Sequence, residues 1–325
     1  MFKSESHKAS KIMNEYGKER IPFLFIIDFE MKSPIILKLS DAGSKILYKI
    51  GDNKNYCDSF TAASVLQLEK FPIKFDNYQR AFNKVMDNIR NGNTYLLNLT
   101  FPTKIKTNYS LKEIFYVSSA KYKLLFENKF VVFSPETFVQ IKNGKIYSFP
   151  MKGTIDASIE NAEQRLLNDE KEFAEHNTIV DLIRNDLSIV AKNVRVEKFR
   201  YVDKIKTSNK TLLQTSSKIC GELEKNYHSK IGDVIFKLLP AGSISGAPKK
   251  KTVEIIKDAE KYERGYFTGI FGIFNGNDLD SAVMIRFVEN INNELYYKSG
   301  GGITFMSKPE LEYQEMIDKV YVPII

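Results

Sequence analysis

Three stretches of this sequence place amines, acids and glycines at spacings that could do chemistry. In "SFPMKGT", residues 148–154, Lys152 sits in a short apolar run immediately before Gly153 and Thr154. Taken alone it reads as a surface lysine, because lysine normally keeps its ammonium in water. The segment "AEHNTIVDLIRNDL" carries a helical apolar stripe of Ile179, Leu182 and Ile183, with Glu175 and His176 at its start. Near the C-terminus, "SGGGITFMSKPELEYQEMIDK" ends a strand-like run in Gly300, Gly301 and Gly302 and then opens a helix. On that helix Glu312, Glu315 and Lys319 share a face through three- and four-residue spacing, the pattern of a solvated face with intrahelical ion pairs. Consecutive glycines let a backbone approach a ligand and offer N–H groups to an anion, or they simply turn the chain.

The elements that must position these groups are legible in part. In "SPETFVQIKNGKIYSFPMKGT" two β-rich runs flank Asn143-Gly144, a strong hairpin signal. With a two-residue Asn-Gly loop, Lys142 faces Lys145 and Glu136 faces Met151. With a three-residue loop in which Gly144 is left-handed, Glu136 lies opposite Lys152, and only this register puts acid and amine on one face. Strand-like runs are expected at 22–29, 34–39, 94–104, 129–141, 145–151, 193–200, 211–222, 268–275, 279–289 and 294–299. Helices are expected at 75–91, 110–120, 158–187, 229–239, 248–262 and 308–321. Strands and helices cluster instead of alternating, which predicts an α+β fold with large antiparallel sheets.

Bulk composition removes several function classes. With 43% hydrophobic and 27% charged residues, the chain of 325 residues is globular, and its length allows one large domain or two ordinary ones. The most apolar run, "IPFLFIIDF", is broken at Asp28 and reads as a buried strand, not a membrane span. The N-terminus lacks the apolar segment of a secretion signal, so a cytoplasmic protein is expected. Two cysteines, Cys57 and Cys220, and three histidines cannot build a cysteine or histidine metal cage, so any metal should be a hard cation on carboxylates. A net charge of +8 suits a small anionic substrate; no zinc finger, RNA-recognition signature or basic aromatic helix supports nucleic acid. "PAGSISGAPKKKT" is not a nucleotide-binding loop, because its glycines fall at Gly242 and Gly246 with no Gly-Lys-Ser/Thr.

In order along the chain, "NTYLLNLT", "SPETF", "PMKGT", "AEHNTIVDLIRND", "PAGSISGAPK", "SAVMIR" and "GGGI" followed by "PELEYQE" and Lys319 resemble the chorismate-utilising enzymes. That family includes component I of anthranilate synthase and of aminodeoxychorismate synthase, together with isochorismate and salicylate synthases. The similarity runs from about residue 75 to the C-terminus; residues 1–74 match loosely as a shortened N-terminal part, and one compact domain is expected overall. The resemblance implies two large antiparallel sheets packed as a sandwich with helices outside, around a magnesium and chorismate site. It implies Glu175 and Glu315 as magnesium-binding carboxylates. Arg286, Lys319 and the backbone of Gly300, Gly301 and Gly302 are then implied to hold the substrate carboxylates, with Gly153 and Thr154 lining the pocket. Glu136 matches the general acid that protonates the departing C4 hydroxyl, which requires a raised pKa.

Lys152 separates the siblings. Anthranilate synthases typically have alanine there, whereas aminodeoxychorismate synthases have a lysine that attacks C2 of chorismate before ammonia resolves the adduct at C4. Such an amine must lose its proton, so its pKa of about 10.4 is expected to fall. The histidine that assists pyruvate elimination in anthranilate synthases aligns with Asp233, and their frequent tyrosine after Arg264-Gly265-Tyr266 aligns with Phe267. The arginine that usually follows the Gly-Thr pair is replaced by Ile155-Asp156. Neither cysteine sits in a glutaminase-like motif, so ammonia is expected from a separate glutamine amidotransferase subunit. The expected product is 4-amino-4-deoxychorismate, the precursor of 4-aminobenzoate and folate. Anthranilate, isochorismate or salicylate synthesis, and a silent chorismate-binding subunit, are the alternatives.

Overall fold

In the computed structural model, residues 2–43, 45–57, 60, 64–206 and 211–324 are described. β1 (Phe23–Ile27) explains the layering, because it is buried at every position. Phe23, Phe25 and Ile27 enter one apolar cluster, and Leu24 and Ile26 enter another on the opposite face. A strand covered on both sides needs no polar alternation, hence the continuous apolar run around it. Each such side chain contributes roughly 1.5–3 kcal/mol on burial.

Among the described residues there are two nine-stranded antiparallel sheets. The first runs β11 (Met151–Asp156), β13 (Thr211–Glu222), β10 (Lys145–Ser148), β9 (Thr137–Lys142), β16 (Leu279–Val283), β15 (Ile270–Phe274), β1, β2 (Ile35–Lys38), with β12 (Lys192–Lys206) also on β13. The second runs β14 (Gly246–Ala247), β6 (Leu96–Thr107), β18 (Glu294–Ile303), β17 (Phe287–Ile291), β8 (Phe130–Ser134), β7 (Tyr122–Phe126), β3 (Ile46–Ile50), β4 (Asn53–Lys54), with β5 (Leu68–Phe71) also on β6. Leu24, Ile26 and Phe271 of the first sheet pack against Ile46, Tyr122, Phe130 and Phe287 of the second. The helices are α1 (Phe2–Lys18), α2 (Phe75–Arg90), α3 (Leu111–Val117), α4 (Ala162–Asn168), α5 (Glu170–Ser188), α6 (Ile231–Leu238), α7 (Gly242–Ser245), α8 (Lys249–Glu260) and α9 (Pro309–Asp318). This is an α+β fold with two large antiparallel sheets. The N-terminal strands are built into it: β1 and β2 extend the first sheet, and β3, β4 and β5 the second.

Several expectations change in detail. The helix expected at 158–187 is broken into α4 and α5 at Asp169, whose carboxylate caps α5 by accepting from Glu172 N at 2.8 Å. The run expected at 129–141 is two strands separated at Pro135 and Glu136. β3, β7 and α1 were not expected from the apolar pattern. α1 docks on α6, where Asn14 Oδ1 accepts from Gly232 N at 2.8 Å and Ser10 Oγ donates to Asp233 at 2.7 Å. The hairpin uses the two-residue loop, with Asn143 at φ 52°, Gly144 at φ 75° and Lys142 opposite Lys145. Beyond it, however, the chain leaves β9, and β11 pairs with β13, Lys152 lying opposite Thr215. Hairpin pairing therefore sets neither Met151 nor Lys152 against Glu136.

Candidate active site

A cavity of ≈ 890 Å³ opens between the ends of the two sheets, and α5, α7 and α9 close its sides. Glu136, Lys152, Gly153, Thr154, Glu175, Arg286, Gly300, Gly301, Gly302, Glu315 and Lys319 all line it. The residues singled out from sequence thus converge on one space, although no hydrogen bond or ion pair joins Glu136 to Lys152.

Glu136 occupies the short break between β8 and β9. Its N–H donates to Ser134 Oγ at 3.1 Å and its carbonyl accepts from Val283 N at 3.2 Å, which fixes the backbone. Its Oε1 accepts from Ser243 Oγ at 2.5 Å. Burial pushes the carboxyl above its ordinary pKa, against the Ser243 hydrogen bond and the charges of Arg286 and Lys319. The group is biased towards holding a proton, as a general acid must.

Lys152 reaches the cavity because β11 is bulged. Its register against β13 slips between Lys152 and Thr154, and Gly153 takes φ 80°, a conformation open to glycine. A Cβ at Gly153 would stand 3.1 Å from Glu172 Oε2 and 3.2 Å from Leu166 Cδ1. Lys152 Nζ lies 2.5 Å from Glu175 Oε2. Burial alone would pull this amine down, but Glu175, Glu172 and Glu315 outweigh burial and hold its pKa above the ordinary value. The lowered pKa expected of a nucleophile is therefore not the condition of this structure: three carboxylates keep the amine charged.

The opposite wall is built for anions. Lys319, at the end of α9, contacts Glu315 Oε1 at 2.6 Å and donates to Gly300 O at 2.9 Å. Arg286 enters β17 at φ 54° with its guanidinium 5.2 Å from the Tyr321 ring centroid. Gly300, Gly301 and Gly302 are strand residues opposite Thr100, Leu99 and Asn98 of β6. Because β17 begins at Phe287 opposite Lys298, β17 leaves the outer edge of β18 unpaired from Ser299 onward. A Cβ at Gly300 would fall 2.1 Å from Leu99 O, so glycine is needed there for packing as well. Thr154 sits exposed, its Oγ1 accepting from Gln214 Nε2 at 3.3 Å.

Two glutamates on α5, Glu172 and Glu175, and two on α9, Glu312 and Glu315, bring four carboxylates to the cavity. Burial raises the pKa of Glu172 and of Glu312; Glu315 is lowered because Lys319, Lys152 and Lys171 outweigh its burial. Glu172 Oε2 is buried with no hydrogen-bond partner, an orphan that a cation or its water would satisfy. Among the described residues no three acidic, histidine or cysteine side chains stand close enough to grip a metal by themselves. An all-oxygen donor set with few direct protein ligands fits magnesium, which keeps waters and shares an anionic substrate.

Sequence reasoning passed over Glu172, Lys171 and Ser243. The three-residue spacing of Glu172 and Glu175 was the available signal for the first. Asp233 is corrected: it is exposed on α6, bonded to Ser10 of α1, and is not part of the cavity wall, so its identity says nothing about pyruvate elimination. Ile155 packs with Ala162, Leu166 and Leu213, and Asp156 accepts from Ser158 N, so the two residues that stand in place of the arginine do not line the cavity. Phe267 does line the cavity.

The profile of the chorismate binding enzyme family matches residues 28–324. The chain belongs to that family. The match starts well before residue 75, so β2, β3, β4 and β5 fall within it, whereas β1 precedes it. An "Uncharacterized PabA-like protein" of Haemophilus influenzae is 51% identical over 311 residues, covering 96% of this chain and 95% of that one. Anthranilate synthase component 1 of Aquifex aeolicus and aminodeoxychorismate synthase component 1 of Bacillus subtilis are each 31% identical, over 87% and 77% of this chain. The chain spans 57% and 55% of the length of these two synthases. Among solved structures, the menaquinone-specific isochorismate synthase of Escherichia coli has the same fold (TM-score 0.75, 15% identity, 96% of this chain and 80% of that one). Anthranilate synthase component I of Streptococcus pneumoniae gives a TM-score of 0.67 at 27% identity, over 81% of this chain and 60% of that one. Among the described residues, no helix of this chorismate-binding enzyme is long and apolar enough to cross a membrane.

Proposed function

We propose that the chain is an aminodeoxychorismate synthase component I, which converts chorismate and ammonia to 4-amino-4-deoxychorismate. The observation that carries this reading is Lys152: a bulge turns its amine into the cavity, at the position where the resemblance implies lysine for amination at C4 and alanine in anthranilate synthases. Glu136 lines the same cavity without touching it, which suits two groups that act on different ring carbons.

Chorismate carries two carboxylates. Arg286, Lys319 and the open edge of β18 would receive them, the guanidinium as a fork and the amine as a point charge. Lys152 Nζ bonds to C2 as the C4–O bond breaks and both ring double bonds shift by one position. Glu136 gives its proton to the leaving oxygen, which departs as water. Ammonia then bonds to C4, the C2–N bond to Lys152 breaks, and the proton released from the new amine returns to Glu136. Magnesium, held by Glu175 and Glu315 with Glu172 and Glu312 behind them, would neutralise the carboxylates that now keep Lys152 charged and leave burial to lower its pKa. Ammonia would come from a separate glutamine amidotransferase, because neither Cys57, which is exposed, nor Cys220, which is buried, sits in a glutaminase-like motif.

Mass spectrometry after mixing the protein with chorismate and magnesium, without ammonia, should find an adduct on the peptide containing Lys152, absent in Lys152→Ala. With ammonium added, the product should be 4-amino-4-deoxychorismate. The equal identity to an anthranilate synthase makes anthranilate the second reading. Anthranilate or isochorismate as product, with Lys152 unmodified, would refute the first.

A further inference from the structure

α7 is a single turn wedged among α5, α8 and the β6 and β14 strands of the second sheet. Gly242 lies so close to α5 that a Cβ there would meet Asp186 Oδ2 at 2.7 Å and Leu182 Cδ2 at 3.2 Å. Lys249 of α8 closes the frame, reaching Asp186 Oδ2 at 2.8 Å and Leu238 O at 2.7 Å. Ser245 Oγ donates to Ala241 O at 2.8 Å, and the Ile244 carbonyl accepts from the buried Arg264 at 3.1 Å. Every residue of α7 except Ser243 thus spends its polar or steric contacts holding the turn in place. Ser243 alone turns its hydroxyl onto Glu136, donating to Oε1 at 2.5 Å. Among the described residues no protein donor reaches Glu136 Oε2.

We infer that Ser243 is a positioning residue for the general acid. By occupying Oε1 it makes the two carboxyl oxygens inequivalent, so that the transferable proton rides on Oε2, and the frame around α7 exists to hold that hydroxyl. A free carboxyl rotates between two equivalent orientations, only one of which aims its proton at a given point; a fixed donor on one oxygen removes that freedom. The charged groups facing Glu136 are Arg286 and Lys319, which with the Ser243 bond oppose the effect of burial. Removing the hydroxyl deletes one of three stabilisers of the carboxylate, so the Glu136 pKa rises further. Activity that needs the protonated acid then persists to higher pH, while turnover falls because the proton is no longer aimed.

The inference rests on the proposed role of Glu136, so the test separates the two. Chorismate consumption with magnesium and ammonium is measured from pH 6 to 9.5 for the unaltered protein, Ser243→Ala, Ser243→Thr and Glu136→Gln, each variant rate being divided by the unaltered rate at the same pH so that ammonia supply cancels. Ser243→Ala should lose about 10-fold to 100-fold in kcat with KM nearly unchanged, and its relative rate should climb as pH rises. Ser243→Thr should restore both. Infrared difference spectra, with Glu136→Gln as the blank, should show the Glu136 carboxyl titrating at higher pH in Ser243→Ala. An inactive Glu136→Gln with a flat Ser243→Ala ratio and unmoved carboxyl band overturns the positioning role; an active Glu136→Gln overturns the acid itself.

Discussion

His176 gives a stability prediction that can be worked from its surroundings. Its ring is fully buried (0% exposed), with Nε2 2.6 Å from Ser217 Oγ and Phe199 edge-on at 5.7 Å. Burial, then the charges of Arg200 and Lys152, lower its pKa from 6.5 to about 4. The neutral ring is therefore the folded form, while the unfolded chain takes up a proton below 6.5. Stability contributed by this group is complete above that value and drains away as pH falls towards 4. At about 1.36 kcal/mol per pH unit the total loss is about 3 kcal/mol, of which about 2.5 kcal/mol is gone by about pH 4.5. His176→Phe removes the titration and gives up the Ser217 bond, at about 1 kcal/mol; Ser217 Oγ still accepts from Arg200 N. Urea unfolding of both proteins at pH 8, 6.5, 5.5 and 4.5 isolates His176, because carboxylates common to both cancel in the difference. The variant should be less stable at pH 8 and more stable at pH 4.5. Free-energy curves that stay parallel between those values would refute the assignment of a buried neutral ring.

Two further perturbations test the frame around the cavity. Arg264→Leu strips the partner from buried Glu260, now 2.6 Å away, and removes donors from the Asn98 and Ile244 carbonyls. It should cost about 3–5 kcal/mol by thermal or urea unfolding, with Arg264→Leu combined with Glu260→Leu recovering part of the loss. Gly300→Ala drives a Cβ to 2.1 Å from Leu99 O and should spread β18 from β6, costing about 1–3 kcal/mol and most chorismate turnover. Gly92→Ala, where the added Cβ meets nothing, serves as the mild control, since only its φ of 71° is strained.

What could be read beforehand divides along physical lines. The β1 run, the Asn143-Gly144 turn and the face shared by Glu312, Glu315 and Lys319 are local patterns, and local patterns survive folding. The set of cavity residues came from motif resemblance, which carries tertiary information that periodicity lacks. The hairpin argument for joining Glu136 to Lys152 failed because β11 changes partners to β13, a sheet-order event invisible to a two-strand register. The charge state of Lys152 was missed for a related reason: the carboxylates that set it come from α5 and α9, distant in sequence. Asp233 was misread because sequence spacing does not reveal which face of α6 meets α1. Ser243 lay inside a segment that served as a landmark of the resemblance and was rejected as a phosphate loop, with no role drawn for its hydroxyl.

The order of strands has a consequence for how this molecule comes into being. From β2 to β3, β8 to β9, β13 to β14, β14 to β15 and β16 to β17 the chain passes from one sheet to the other. β18, nearly the last element made, inserts between β6 and β17, and β1 waits for β15. While the nascent polypeptide is still leaving the ribosome, β6 therefore has a bare edge, and β1, paired with β2, lacks its β15 neighbour. Topology of this kind folds slowly and late. Chains cut short by premature termination would carry unsatisfied strand edges together with an unfinished anion wall, making them candidates for degradation instead of partial activity.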